Sequence, residues 1–128
     1  VGLVEATDTV LSAGVDLIEI ARIEATIARY GDRFLTRVFT EEELYHCRGQ
    51  APQLAARFAA KEAVSKTLGT GLQGITWRDI EIVTEASGKP TIRLHGRAAQ
   101  RAAQLNLAHF ALSLSHTREH AIALVVAE

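Results

Sequence analysis

The sequence has one cysteine, two prolines, one tryptophan and no methionine in 128 residues. A lone thiol, Cys47, can form neither an internal disulfide nor a multi-cysteine zinc site, so nothing demands an oxidising compartment and a cytoplasmic setting is expected. Pro52 and Pro90 are isolated, and no Pro/Ser-rich linker, low-complexity tract or internal repeat divides the chain. A single domain over residues 1–128 is expected. Long apolar runs are missing as well. Stretches such as Ala121 to Ala127 fall far short of the ~20 residues a membrane helix needs, and the start lacks a basic segment followed by an apolar one. Neither a membrane span nor a signal peptide is expected, and with Val1 in first place and no methionine the true start is expected to have been removed or to lie outside this chain. Nor is there an excess of either charge. Fourteen Lys and Arg against fifteen Asp and Glu leave a net charge of -1, which argues against a uniformly basic nucleic-acid binder while leaving room for a local basic patch.

What is present is an ordinary globular composition, 48% hydrophobic and 23% charged, which excludes disorder, collagen and coiled-coil arrays. The run Val10 to Ile18, rich in Val, Leu and Ile, reads as a strand interrupted by Gly14 and carrying Asp16. From Glu19, Ile20, Ile23 and Ile27 recur at helical spacing until Gly31. Thr40 with Glu43 forms a capping-box pattern that opens a short helix to Cys47. Pro52 fits the first turn of a longer helix that reaches Leu68 before Gly69. Ile80 and Ile82 alternate with Glu81, and Ile92 and Leu94 with Arg93, across the turn Ala86 to Pro90, which predicts a hairpin. Arg97 to Leu105 is helical by alanine content. Phe110 to Ser115 and Ala121 to Ala127 then read as paired strands across His116 to His120. Tight connections favour antiparallel pairing, so the fold class is α+β.

Some charges sit where a core would not choose them. Phe58, Ala59, Ala60, Ala63, Val64 and Leu68 spread apolar surface around the long helix, which should be largely buried. Glu62 nevertheless falls between Phe58 and Ala59 on the helical wheel, with Lys66 one turn on and Arg57 and Lys61 on another face. Burying such groups without partners costs several kcal/mol, so they must pair, bind a ligand or line a cleft. An intrahelical Glu62–Lys66 salt bridge is the plain reading. Asp16 poses the same question, since Val15 and Leu17 occupy one face of their strand and the acid the other, which solvent could receive. Together, Asp16 and Glu62 would make a sparse pair of hard oxygen ligands of the sort magnesium accepts, with phosphates and waters completing its shell.

Other signals are weaker. His116 ends the Phe110, Leu112, Leu114 face, an ordinary place for a histidine that caps a core. Ser113 and Ser115 lack a nucleophile elbow. Gly69, Thr70 and Gly71 could let backbone amides approach a phosphate, yet they lack Walker spacing. Arg22, Arg29, Arg33 and Arg37 outnumber Glu24 and Asp32, forming a stripe that is either a solvated face or a receiver for an acidic protein.

Three segments taken together carry a resemblance: Gly14-Val15-Asp16-Leu17-Ile18 with Ile20 and Arg22, Phe58-Ala59-Ala60-Lys61-Glu62-Ala63 with Lys66, and Ser113-Leu114-Ser115-His116. In order and spacing they resemble the holo-acyl-carrier-protein synthase family, the small branch of the 4'-phosphopantetheinyl transferases. The resemblance implies a 4'-phosphopantetheinyl transferase-like α+β fold, with an antiparallel sheet packed against a long helix and shorter helices, assembled as a homotrimer with active sites between subunits. It implies transfer of the phosphopantetheine arm of coenzyme A to a serine of apo acyl carrier protein, in fatty acid biosynthesis, with release of adenosine 3',5'-bisphosphate. Asp16 and Glu62 then match the family's magnesium ligands, and Lys66 its lysine beside the phosphates. Gly69, Thr70, Gly71, Pro90 and His116 match coenzyme A contacts, and Arg57 an arginine supplied by the neighbouring subunit. Arg22, Arg29 and Arg33 match the surface that docks the carrier. A metal-bound carboxylate is a poor base, so the serine proton is assigned to a water oriented by Asp16 or Glu62. No nucleic-acid or membrane partner is implied. The competing reading is a noncatalytic, oligomeric coenzyme A or nucleotide-binding module in which Glu62 and Lys66 are a structural pair. A further variant keeps the enzyme and exchanges the carrier for one from polyketide or peptide synthesis.

Overall fold

The computed structural model describes residues 2–4 and 11–128. Val10, the first residue of the predicted opening strand, lies outside them. The chain runs β1 (Ser12–Glu19), α1 (Ile20–Tyr30), α2 (Asp32–Val38), α3 (Glu41–Cys47), α4 (Ala51–Thr67), a 3-10 turn (Trp77–Asp79), β2 (Ile80–Thr84), β3 (Pro90–Leu94), α5 (Gly96–Gln104), β4 (Phe110–His116) and β5 (His120–Ala127). The α+β class holds, but the strands form two antiparallel sheets rather than one: β1-β5-β4 and the hairpin β2-β3. The pairing of β1 with β5, the first and last strands, joins the two ends of the fold. Local pattern cannot reveal a partner a hundred residues away.

Helix α4 is the axis of the core. Leu54, Ala55, Ala59, Ala60, Ala63 and Val64 are each at most 1% exposed. The alanines keep its surface thin, so the three-stranded sheet lies close against it, meeting it through Ala121, Ala123, Val125 and Ala127 of β5. Pro52 sits in the first turn, where its missing N–H leaves no hydrogen bond unmade. Beyond α4, Gly69 takes a left-handed φ of 73°, a conformation open to glycine.

The helix α2 was not legible in the sequence. Its seven residues are too short to show periodicity, and Gly31 both ends α1 and precedes the new helix. Packing holds it: the Phe34 ring lies 6.0 Å from Phe39, edge to face, and 6.2 Å from Phe58, which stacks on Trp77 at 4.8 Å. Phe34, Phe39, Phe58 and Trp77 thus form one cluster that seats α2 and the Trp77 turn against α4.

The predicted capping box does more than start α3. Glu43 Oε1 accepts from the Thr40 amide at 2.8 Å and Thr40 Oγ1 accepts from the Glu43 amide at 3.3 Å. The same carboxylate accepts from Lys61 Nζ at 2.8 Å and, through Oε2, from the Ile82 amide at 2.9 Å. Lys61 also donates to the carbonyls of Ile80 and Trp77, so its three N–H bonds are all used. Burial pulls the Lys61 pKa down, and Glu43 opposes that shift. This pair, wholly out of solvent, ties α3, α4 and β2 together. Removing one partner strands the other charge, so Lys61→Ala is expected to cost about 3–5 kcal/mol. Urea unfolding followed by circular dichroism measures this, and a loss below about 1 kcal/mol would contradict the role given to the pair.

Candidate functional site

The charged residues singled out by sequence separate into two groups. The first lies where β1 crosses α4. Along β1, Gly14, Asp16 and Ile18 face the helix while Val15 and Leu17 are 50% and 63% exposed. The solvent-facing reading of Asp16 is therefore reversed: the acid points inward and the hydrophobes outward. Gly14 makes the crossing possible, since a Cβ there would stand 2.1 Å from the Ala63 carbonyl oxygen and 3.2 Å from Thr67 Cγ2. Ser12 Oγ reinforces it by donating to the Thr67 carbonyl at 2.8 Å.

With the strand this close, Lys66 reaches across. Its Nζ donates to the Val15 carbonyl at 2.8 Å and to Asp16 Oδ1 at 3.2 Å. The expected Glu62–Lys66 salt bridge is absent among the described residues; the lysine's ionic partner is Asp16. The structural pair of the noncatalytic reading is thus replaced by another, Asp16–Lys66, which gives Asp16 a partner within the chain. Burial raises the Glu62 pKa, and the nearby Asp16 carboxylate raises it further, with Lys66 in partial opposition. Two carboxylates that resist sharing a space are relieved by a cation between them. No group of three or more His, Cys, Asp or Glu side chains suited to a metal occurs among the described residues. A two-carboxylate, all-oxygen donor set fits a hard ion such as magnesium, which takes one or two protein carboxylates and fills its octahedron from phosphates and water.

The loop after α4 begins one turn beyond Lys66. Gly69 and Gly71 have φ of 73° and 57°, and Arg101 Nε holds the start of the loop by donating to the Leu68 carbonyl at 3.0 Å. Thr70 lies between the two glycines, partly exposed.

The second group lines an open cleft of about 510 Å³ that contains Arg57, Pro90 and His116. Sequence reasoning missed His46, Gln53 and Thr84 in its wall. Arg57 is buried, its guanidinium fixed by Gln53 Oε1 at 2.7 Å and Thr84 Oγ1 at 3.2 Å. Both partners are neutral, and among the described residues no carboxylate pairs with the guanidinium. Gln53 was detectable as the residue one helical turn before Arg57. His46 and Thr84 arrive through tertiary packing and gave no local signal. His116 is exposed rather than capping the core, with Nδ1 3.3 Å from the Thr117 carbonyl.

The two groups do not share this cleft. Asp16, Glu62, Lys66 and the Gly69–Gly71 loop are outside the lining of the cleft. On α4, Arg57 and Glu62 point about 140° apart at 100° per residue. β1 and β4 are opposite edges of their sheet. The outer face of that sheet carries an apolar patch in which Val15 pairs with Leu124 and Leu17 with Ile122, these four 39–63% exposed. Such a patch is a typical protein contact surface. Elsewhere, Arg22, Arg29, Arg33 and Arg37 are all exposed, and Arg33 and Arg37 flank Phe34 and Tyr30 in a second groove of about 570 Å³.

The chain matches the family model described as "4'-phosphopantetheinyl transferase superfamily" over residues 12–125. It is 52% identical to a holo-[acyl-carrier-protein] synthase of Herpetosiphon aurantiacus, over 91% of this chain and 97% of that protein, and 46% identical to one of Koribacter versatilis, over 93% and 98%. The crystal structure of Helicobacter pylori holo-[acyl-carrier-protein] synthase in complex with coenzyme A superposes with a TM-score of 0.83 at 32% identity, covering 91% of this chain and 99% of that one. The enzyme from Neisseria meningitidis gives 0.84 at 34% identity, covering 91% and 97%.

The close crossing at Gly14 yields a direct expectation. Gly14→Ala drives a methyl group into the α4 backbone, and overpacking of this kind costs about 1–3 kcal/mol. Urea denaturation should show that loss, and wild-type stability would mean that β1 does not approach α4 as described.

Proposed function

The chain belongs to the 4'-phosphopantetheinyl transferase superfamily, and we propose how its separated side-chain groups share the reaction. The enzyme is a holo-[acyl-carrier-protein] synthase in activity: it transfers the 4'-phosphopantetheine moiety of coenzyme A to a serine of apo acyl carrier protein, releasing adenosine 3',5'-bisphosphate, in fatty acid biosynthesis. The observation that carries our reading of the site is Asp16, turned inward by β1 to the helix face that bears Glu62 and Lys66.

In this reading Asp16 and Glu62 hold magnesium, and the ion when bound supplies charge neutralisation at the pyrophosphate of coenzyme A. Lys66 binds a phosphate oxygen and stabilises negative charge that grows on the departing group. The amides of Thr70 and Gly71 donate to phosphate oxygens, while Gly69, whose own amide closes α4 on the Lys66 carbonyl at 3.1 Å, joins Gly71 in keeping side chains out of the approach. The serine oxygen attacks the phosphorus that carries the pantetheine arm. The bridging P–O bond breaks, and its electron pair leaves with adenosine 3',5'-bisphosphate. The serine proton passes to a water oriented by Asp16 or Glu62.

Arg57, Pro90 and His116 complete the coenzyme A site of a neighbouring copy in a homotrimer. Support comes from a cleft whose lining does not include Asp16, from an arginine fixed without an acidic partner among the described residues, and from the apolar outer face of the β1-β5-β4 sheet. The carrier docks on the exposed arginines Arg22, Arg29 and Arg33, where positive charge steers an acidic protein. A cytoplasmic setting suits the reduced, buried Cys47, whose thiol pKa burial raises to about 11. No helix among the described residues is long and apolar enough to cross a membrane.

The test is to incubate the protein with coenzyme A, magnesium and apo acyl carrier protein and weigh the intact carrier. The wild type should add a phosphopantetheine mass. Asp16→Ala and Glu62→Ala should each lower the rate at least about a hundredfold, on the scale of losing a group that stabilises transition-state charge, while keeping their circular dichroism spectra. No mass gain with the wild type would contradict the activity, and near-wild-type rates in either variant would contradict the metal site.

A further inference from the structure

Lys66 is held in a way that phosphate binding alone does not explain. Its ammonium lies on Asp16 Oδ1 at 3.2 Å and is aimed there by a second bond, 2.8 Å, to the Val15 carbonyl. Both acceptors belong to the strand that Gly14 brings against α4. The Lys66 side chain remains half exposed while Asp16 is 19% exposed, so the lysine can swing into solvent when the carboxylate cannot. A carboxylate oxygen that directs a lone pair to an ammonium cannot direct the same lone pair to a metal.

We propose that Lys66 is a tethered counter-ion for Asp16 that a divalent cation displaces, and that the displaced ammonium is thereby freed to take a substrate phosphate oxygen. The exchange balances charge at each stage. Asp16 trades an ammonium for a dication, and Lys66 trades a carboxylate for a phosphate. Metal loading and phosphate binding are then linked through one side chain. No covalent bond is made or broken. This inference rests on Asp16 and Glu62 being the metal ligands, and deepens that assignment by giving the site a built-in competitor.

Manganese, whose electron paramagnetic resonance signal falls on binding, reports on the site without coenzyme A or turnover. Titrated into the full-length protein, it should bind Lys66→Gln about two- to fivefold more tightly than the wild type, the range expected for loss of a solvent-accessible ion pair. Lys89→Gln, which removes the same charge from the exposed β2–β3 turn, should bind as the wild type does. Equal or weaker manganese affinity in Lys66→Gln, or an equal gain in Lys89→Gln, would overturn the exchange while leaving the metal assignment standing. If the wild type binds no manganese, the metal assignment itself falls and the exchange with it. Because Lys66 lies on the surface and its neutral replacement removes no buried contact, circular dichroism should show the variant folded.

Discussion

The approach of β1 to α4 is the constraint on which the rest depends. A strand can lie this near a helix only where neither presents bulk, and Gly14 against the Ala63 backbone meets that condition. Register follows. With Gly14 pinned against the helix, the two-residue period of the strand turns Asp16 and Ile18 to the same face, so one small residue aims the carboxylate. The pairing of β1 with β5 then sets the last strand beside it, where Ala121, Ala123 and Val125 present an equally thin surface to α4.

Charge is distributed along α4 in two opposite ways. Lys61 is sealed in with Glu43, every N–H matched, and its work is to hold three elements in register. Glu62, its neighbour in sequence, projects elsewhere on the helix, where burial and Asp16 raise its pKa. Lys61 and Glu43 form a buried, satisfied pair, whereas in the other group a half-exposed ammonium, Lys66, sits on Asp16, and Glu62 has no ion-pair partner among the described residues. The near-zero net charge of -1 thus conceals strongly local fields: the acids Asp16 on β1 and Glu62 on α4, the cation Arg57 with no acidic partner among the described residues, and exposed arginines on α1 and α2.

Much of this was legible in the sequence, for identifiable reasons. The α3 capping box, the stop at Gly31 and the β2–β3 hairpin are local devices, and local pattern is enough to specify them. Asp16, Glu62 and Lys66 stood out because each was a charge in an apolar context. Their arrangement was not legible. The salt bridge expected within α4 is instead a bond from α4 to β1, since the partner of Lys66 is fixed by how near the strand lies. The orientation of Asp16 was hidden likewise, because Val15 and Leu17 look like core residues until their face is seen to be exposed. Helix α2 went unseen because aromatic packing holds it, and His46 and Thr84 because they join the Arg57 cleft from other elements.

The central claim is that one chain holds two incomplete halves of the site: Asp16, Glu62 and Lys66 on one side, and Arg57 with its cleft on the other. Subunit complementation tests this most directly. An Asp16→Ala chain and an Arg57→Ala chain, each inactive alone, are unfolded together in equal amounts, refolded and assayed for carrier modification. If each site joins one half from each of two adjacent copies, random assembly into a cyclic trimer gives about a quarter of the sites both intact halves, so about a quarter of wild-type activity should return. A mixture as inactive as its two components would contradict the claim.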